Sequence, residues 1–466
     1  MNYSKLILAL AVSFVTFIVR SQDRKVPNIV VIFIDDMGYG DITPFGSTTN
    51  YTPNLVKMAK EGMKLTSFYV ASPVCTPSRA SLMTGCYPQR VGLNWGSDHI
   101  VLFPGDPHGL NPKEITIAEL LKTKNYVTGC FGKWHLGDQP GFLPLDQGFD
   151  EFYGIPYSSD MWIGNKNWKF PDLPVMRGNT IEYLVEDMAG QAKLCSRFTE
   201  EAISFIKRNK EKPFFCYIPQ AFVHAPRMAS PEFMANAKTA EEGQIEEIDW
   251  NVGQILETLK DLKLDKSTLV LFTSDNGPAG GLSAGPLRGR KASVYEGGHR
   301  VPTIAWWPGR IPSESECDEL TGTIDLLPTF AGLAKIDLPN DRVIDGKDIW
   351  PLLAGRVGAK TPHDRFFYQQ KGNLSAVRSG DWKLLTNGEL YNLKEDLAES
   401  LDVADENPEV VKKLQRMLRD FDIEISSNKR EVGIVEGSRT LVPRPGVVGE
   451  DAYLPTLVLM KRDKGQ

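Results

Sequence analysis

Two short acidic segments of this chain are placed to bind a cation. Asp35 and Asp36 follow the six apolar residues 29–34. Such a run reads as a strand buried on both faces, and its carboxyl end is where open α/β sheets set their ligands. Two adjacent carboxylates there repel each other unless a cation lies between them. Asp275 and Asn276 repeat the arrangement after the apolar run 269–273. Three carboxylates and an amide at one sheet edge describe a hard-cation site for Ca2+ or Mg2+, without the His and Cys that zinc prefers. Taken singly, each pair reads better as a helix cap or a loop turn. Their recurrence at two strand ends favours the metal.

The segment 75–85 runs Cys-Thr-Pro-Ser-Arg-Ala-Ser-Leu-Met-Thr-Gly. Pro and Ser precede a helix-compatible stretch, which sets Cys75 just before a helix amino terminus. That end of a helix is electropositive and lowers a thiol pKa, so Cys75 reads as a reactive thiolate, with a buried inert thiol as the alternative. The segment closely resembles the signature of the type I sulfatases, Cys-x-Pro-Ser-Arg with a short spacer and Thr-Gly, in which the cysteine is oxidised to formylglycine. The resemblance extends over nearly all of the chain beyond residue 22. Residues 125–135, ending Gly132-Lys133-Trp134-His135, are similar to the family's second signature, with Asn125 at a turn where glycine is common. Asp275-Asn276-Gly277, Tyr295-Glu296-Gly297-Gly298 and Leu390-Tyr391-Asn392-Leu393 match further landmarks, although Leu397 replaces the proline of the phrase Asp-Pro-x-Glu. Within the family, the chain looks most like the arylsulfatase A-like and bacterial polysaccharide sulfatases.

The resemblance implies an alkaline-phosphatase-like α/β fold: a mixed, largely parallel sheet sandwiched by helices, with a smaller C-terminal domain of short antiparallel strands and a helix. It implies hydrolysis of sulfate monoesters on a sulfated carbohydrate. Ca2+, in preference to Mg2+, is then held by Asp35, Asp36, Asp275, Asn276 and the formylglycine made from Cys75, whose hydrated aldehyde attacks sulfur. Asp275 would take the proton of the attacking hydroxyl, Arg79 and Lys133 would hold the diol, and His135 would remove its second proton as sulfate leaves. His224 and Lys291 would contact sulfate and protonate the leaving oxygen, with Ser158 a further sulfate contact. A formylglycine-generating or anaerobic maturating enzyme is the implied partner. This many cations suits the reaction, because sulfuryl transfer spreads negative charge over the peripheral oxygens. Trp95, Trp162 and Trp168 could stack on sugar faces, while His99, His299 and Arg300 could meet further sulfates or carboxylates. Two other classes stay open: a phosphatase or phosphodiesterase of the same fold, and a non-catalytic glycan-binding protein with an unmodified Cys75.

Positioning these residues calls for a buried parallel sheet. Strands are expected at 29–34, 127–131, 213–218, 269–273 and 302–306, alternating with helices at 54–61, 115–122, 189–208 and 241–262. In the last helix Ile245, Ile248, Val252, Ile255, Leu256, Leu259 and Leu262 form one apolar stripe. Residues 137–185, rich in Gly, Pro and aromatics, read as a long irregular stretch that shapes a binding surface. The composition shifts after 355, dividing the chain into a catalytic domain at 23–355 and a smaller one at 356–466, with strands at 366–369, 375–378 and 382–385 and a helix at 408–421. The tail beyond 429 carries no assignment.

The chain has 466 residues, with 53 Lys and Arg against 59 Asp and Glu, a net charge of −6 that argues against a general nucleic-acid or anionic-membrane surface. Residues 1–22 read as a secretory signal, whose apolar run is shorter than the roughly 20 residues a membrane span needs. The protein is therefore expected to be secreted or periplasmic, or else to occupy an organelle lumen, with no stable membrane insertion of the mature chain and an uncleaved N-terminal anchor as the less favoured alternative. Six cysteines are too few for a disulfide scaffold. Cys130 and Cys216, in apolar runs, are expected to be buried free thiols.

Overall fold

The computed structural model describes residues 26–94 and 101–463. The expected signal segment, Trp95 and His99 lie outside the described residues. Ten strands form one sheet: β1 (Asn28–Ile34), β2 (Met63–Leu65), β3 (Val127–Lys133), β4 (Glu151–Ile155), β5 (Leu173–Arg177), β6 (Thr180–Val185), β7 (Phe214–Pro219), β8 (Thr268–Ser274), β9 (Thr303–Trp306) and β10 (Ser315–Cys317). Their order is β10-β2-β9-β8-β1-β7-β3-β4-β5-β6. The inner run β8-β1-β7-β3-β4 is parallel throughout.

Every residue of β1, β7 and β8 is buried, so their central positions are apolar on both faces where a one-sided sheet would alternate. Alternate side chains serve opposite layers. Ile29, Val31 and Phe33 pack with α2 (Cys75–Thr84), α3 (Ile117–Lys122) and α6 (Leu326–Ala334), through Leu82, Leu120 and Phe330 among others. Val30, Ile32 and Ile34 pack on the other face with α1 (Pro53–Glu61), α4 (Leu194–Arg208) and α5 (Ala240–Asp261). The stripe read on α5 lies in this second layer, with the helix ending one residue before Leu262. The single helix expected over 189–208 is divided, with Asp187 capping a short helix Met188–Ala192 and Lys193 separating it from α4.

The stretch 137–185 is less irregular than its composition suggests. It contains β4, β5 and β6, the last two an antiparallel hairpin that turns at Gly178 with φ of 58°. Pro174 and the exposed outer positions of β6 hide the period-two pattern, as edge strands often do.

Beyond residue 355, β11 (Phe366–Gln370), β12 (Asn373–Ser379), β13 (Trp382–Leu385) and β14 (Leu390–Asn392) form an antiparallel sheet. Against it lies α7 (Pro408–Asn428), burying Leu414, Leu418, Phe421 and Ile425 at helical spacing. The tail returns to the large sheet's first layer, where Gly433–Ile434 pairs with His108–Gly109 and Arg430 meets Glu114 at 2.7 Å. All six cysteines are free and buried, Cys130 and Cys216 among them. Among the described residues no helix is long and apolar enough to cross a membrane.

A buried ionic cluster joins the small sheet to the large one. Glu296 accepts hydrogen bonds from Tyr69 at 2.5 Å, Tyr368 at 2.8 Å and Lys383 at 3.1 Å, and Lys383 also meets Glu399 at 2.7 Å. Burial alone would raise the Glu296 pKa, but Lys383, Arg300 and Arg378 outweigh it and hold the carboxyl at about 2. Lys383→Met should therefore destabilise the fold by about 3–5 kcal/mol, since it leaves Glu399 without its ion pair and removes the first of the cations that hold Glu296 ionised. Thermal or denaturant unfolding checks this, and an unchanged midpoint would contradict it.

Candidate active site

The five parallel strands all end at one edge of the sheet, and each delivers a side chain there. From β1 come Asp35 and Asp36, and from its neighbour β8, in register at Ile34 and Ser274, come Asp275 and Asn276. Lys133 closes β3, with His135 two residues beyond. His224 follows β7, and Ser158 follows β4. Helix α2 starts at the same edge. Its first residue is Cys75, Arg79 lies one turn along, and all ten of its residues are buried.

The contacts are close. Cys75 Sγ lies 3.5 Å from Asp35 Oδ1 and 3.4 Å from Lys291 Nζ. Lys133 Nζ donates to Asp35 Oδ2 at 2.6 Å and to Ser158 Oγ at 3.0 Å. Arg79 donates through Nε and Nη2 to Asp275 Oδ2 at 3.1 and 2.8 Å, and through Nη1 to the carbonyl of Lys133 at 2.9 Å. Lys291 Nζ lies 2.6 Å from Asp36 Oδ1, which also accepts from the Asn276 amide at 2.7 Å. His224 Nε2 is 3.5 Å from Asp36 Oδ2. Three permanent cations thus face three carboxylates. Asp35, Arg79, Lys133, Asp275 and Asn276 are all wholly buried, whereas Lys291 and His224 keep 20% and 12% of their side chains exposed, so the site opens on their side.

The oxygen donors of Asp35, Asp36, Asp275 and Asn276 suit a hard divalent cation. Metal-capable atoms of Asp35, Asp36, Cys75 and His224 lie within 4.8 Å of one another. Asp275 joins them through its Oδ1, which accepts the backbone N–H of Asp36 at 3.1 Å. The Asn276 Oδ1 is buried without a hydrogen-bond partner, an acceptor oxygen left for another ligand. Burial, reinforced by Asp35, pushes the Asp275 carboxyl up to about 6, a penalty that added positive charge would relieve.

His135 is wholly buried, and desolvation together with Lys133 holds its pKa well below the ordinary value, so the ring is neutral. Its Nε2 lies 2.9 Å from the carbonyl of Leu102, which can only accept, so Nε2 carries the proton and Nδ1 the lone pair. That Nδ1 has no hydrogen-bond partner. Leu102 in turn donates its N–H to Thr76 Oγ1 at 3.2 Å, which locks the histidine to the start of α2. Sequence reasoning missed this brace, because a backbone carbonyl has no residue type to read. It also missed Asp160, 3.8 Å from His224 Nδ1.

Four expectations need correction. Cys75 does sit at a helix amino terminus, but burial raises its thiol pKa, so the helix does not make it a thiolate. His299 is wholly buried against the Tyr368 ring and cannot meet a ligand. Arg300 donates to the carbonyl of Thr66 and lies 3.5 Å from Glu296, so its charge is spent inside the protein. Trp162 is 7% exposed and packs in the second core layer. Asn125 adopts φ of 60°, the left-handed turn that glycine usually fills and asparagine tolerates.

Comparison with known proteins decides the family. The model described as Sulfatase matches residues 27–336. The chain belongs to the sulfatase family. As a sulfatase it is a sulfuric ester hydrolase, and a second model, N-sulphoglucosamine sulphohydrolase, C-terminal, matches residues 290–424. This sulfatase is 40% identical over 375 residues to N-acetylgalactosamine-6-sulfatase of Canis lupus familiaris, covering 77% of the chain and 71% of the relative. It is 38% identical to arylsulfatase A of Homo sapiens over 384 residues, covering 77% and 74%. Among solved structures, PsFucS1 sulfatase from Pseudoalteromonas sp. superposes with a TM-score of 0.80 at 26% identity, over 88% of this chain and 93% of that one. Ps i-CgsB, solved in complex with k-i-k-neocarrahexaose, gives 0.77 at 30%, over 87% and 94%.

Gly132 shows how tightly the edge is built. With φ of 144°, a Cβ there would lie 2.0 Å from the carbonyl oxygen of Pro219, where β7 leads towards His224. Gly132→Ala should lower stability by about 1–3 kcal/mol and reduce sulfate-ester hydrolysis, because Lys133 and the His224 loop must move apart. Melting temperature and turnover measured together check this, and wild-type values for both would refute it.

Proposed function

We propose that this sulfatase acts on a sulfated carbohydrate, with formylglycine formed at Cys75 and Ca2+ held by Asp35, Asp36, Asp275 and Asn276. The observation that carries the reading is the position of Cys75, between the Asp35 carboxylate and the Lys291 ammonium at the foot of an opening. The carbohydrate part is supported by relatives whose names specify an N-acetylgalactosamine sulfate, and by the neocarrahexaose complex. We place the enzyme's work outside the cytoplasm on the expected signal at 1–22.

Formylglycine at Cys75 would supply a hydrated aldehyde as nucleophile, and Ca2+ held by Asp35, Asp36, Asp275 and Asn276 would supply positive charge for the sulfate. The chain's own residues do the rest. Arg79 and Lys133 hold Asp275 and Asp35 and keep the site dry and electrostatically balanced before substrate arrives. Ser158 fixes the Lys133 ammonium. Lys291 and His224, on the open side, meet the incoming ester, orient its sulfate and deliver a proton to the leaving oxygen. The neutral His135 keeps a lone pair on Nδ1 that takes up a proton when sulfate is released. Because Cys75 is only 2% exposed, the maturation enzyme must reach it before the chain folds.

Peptide mass spectrometry across Cys75, on protein purified from its native host, should find an aldehyde in place of the thiol. The same preparation should release sulfate from 4-nitrophenyl sulfate and no phosphate from 4-nitrophenyl phosphate. Cys75→Ala should cut turnover by about a thousandfold or more while the melting temperature holds. A thiol throughout the active preparation, or turnover kept by Cys75→Ala, would refute the nucleophile.

A further inference from the structure

We propose that the cavity between residues 163–170 and the chain's tail is a second sugar-binding site, taking a further anionic ring of the glycan that is desulfated at the active site. The proposal rests on the carbohydrate reading above and adds where the rest of that substrate lies.

The cavity has a volume of about 680 Å³, within the range of small-molecule sites. Its most prominent side chain is Trp168, with 37% of its surface exposed. That ring is not loose. It lies 6.0 Å from the ring of Phe103 and 6.5 Å from that of Phe170, and those two stack on each other at 6.1 Å. An exposed indole backed in this way presents a fixed apolar face of the kind that the C–H side of a pyranose covers well. Around it, Asn167 offers an amide for hydroxyl groups, and Lys166 and Lys169 offer positive charge, against the single carboxylate of Asp451 among the lining residues. The chemistry is that of a sugar ring bearing sulfate or carboxylate.

Two separate links tie this cavity to the active site. The Asn165 amide donates to the carbonyl of Asp160 at 2.8 Å, and the Asp160 carboxylate lies 3.8 Å from His224. On the other side, the Leu102 carbonyl bonds His135, and the next residue, Phe103, is part of the aromatic group. These links join the cavity's walls to the elements that hold His224 and His135, and on this proposal the glycan extends from the His224 and Lys291 opening to Trp168.

The far wall is the tail that the sequence left unassigned. Arg444, 4% exposed, donates to the carbonyl of Lys169 at 3.0 Å, to Thr456 Oγ1 at 2.9 Å and to the carbonyl of Leu454. It pins the tail to the 163–170 loop and so completes the cavity.

Affinity electrophoresis through gels containing iota-carrageenan, fucoidan or chondroitin 6-sulfate tests the site, with 4-nitrophenyl sulfate hydrolysis measured on the same mature preparations. Wild-type enzyme should be retarded by at least one polysaccharide. Trp168→Ala should weaken that retardation by about fivefold or more while aryl sulfate hydrolysis stays within about twofold. Should Trp168→Ala fail to fold, the Lys166→Ser/Lys169→Ser variant, altered only at exposed positions, must meet the same two criteria. No retardation of the wild type in any gel would overturn the carbohydrate reading together with the site, whereas equal retardation of wild type and variants would overturn the site alone. Loss of aryl sulfate hydrolysis by the wild type would instead overturn the proposed function, so the two failures are distinct.

Discussion

The Asp35 carboxylate is sealed from water, and the architecture of the site follows from satisfying it. Moving such a charge into the interior costs several kcal/mol unless cations and hydrogen bonds meet it there. Burial alone would raise its pKa, yet Lys133, His224, Arg79 and Lys291 together hold it well below the ordinary value. Those partners come from β3, the loop after β7, α2 and the segment beyond β8, so one carboxylate draws four parts of the chain to a point. Asp36 repeats the pattern with Lys291, while Asp275 pairs with Arg79 but is still pushed up by burial and by Asp35. With three carboxylates balanced by three permanent cations, the site is near neutral by itself. A divalent cation would make it positive, and an anionic ester would restore the balance.

Parallel strands are what allow this convergence, since each delivers its carboxyl end to the same edge. That part of the fold was legible because strands covered on both faces must be apolar at their central positions. Residues 29–34, 213–218 and 269–273 leave little alternative to such a strand, and the Asp-Asp and Asp-Asn pairs after two of them mark the functional edge. The hairpin of β5 and β6 was not legible. Lying at the sheet's end, it buries less, admits Pro174, and answers to no strict alternation. The break at Lys193 was equally hidden, for neither Lys193 nor the residues beside it, Ala192 and Leu194, is a helix breaker.

Within the site, legibility followed how local each constellation is. Cys75 and Arg79 are one helical turn apart, and Lys133 and His135 share a strand end, so short motifs bring them into view. Side-chain type alone was a poor guide elsewhere. Arg300 and His299 looked like ligand-binding groups, but an interior carboxylate, Glu296, and an aromatic neighbour, Tyr368, account for them. Trp162 and Trp168 share one loop and looked alike in sequence, yet one fills the core and the other faces solvent. Only packing separates such pairs. The Leu102 carbonyl that sets the tautomer of His135 belongs to the backbone and could be found only in three dimensions.

The central claim is that this buried balance of charge is completed by one divalent cation. Calorimetric titration of Ca2+ into chelator-treated protein tests it most directly, with Asp36→Asn as the comparison. The account predicts binding of one ion per chain with a rise in melting temperature, both lost in the variant. Absence of binding to the wild-type chain, or equal binding by Asp36→Asn, would contradict it.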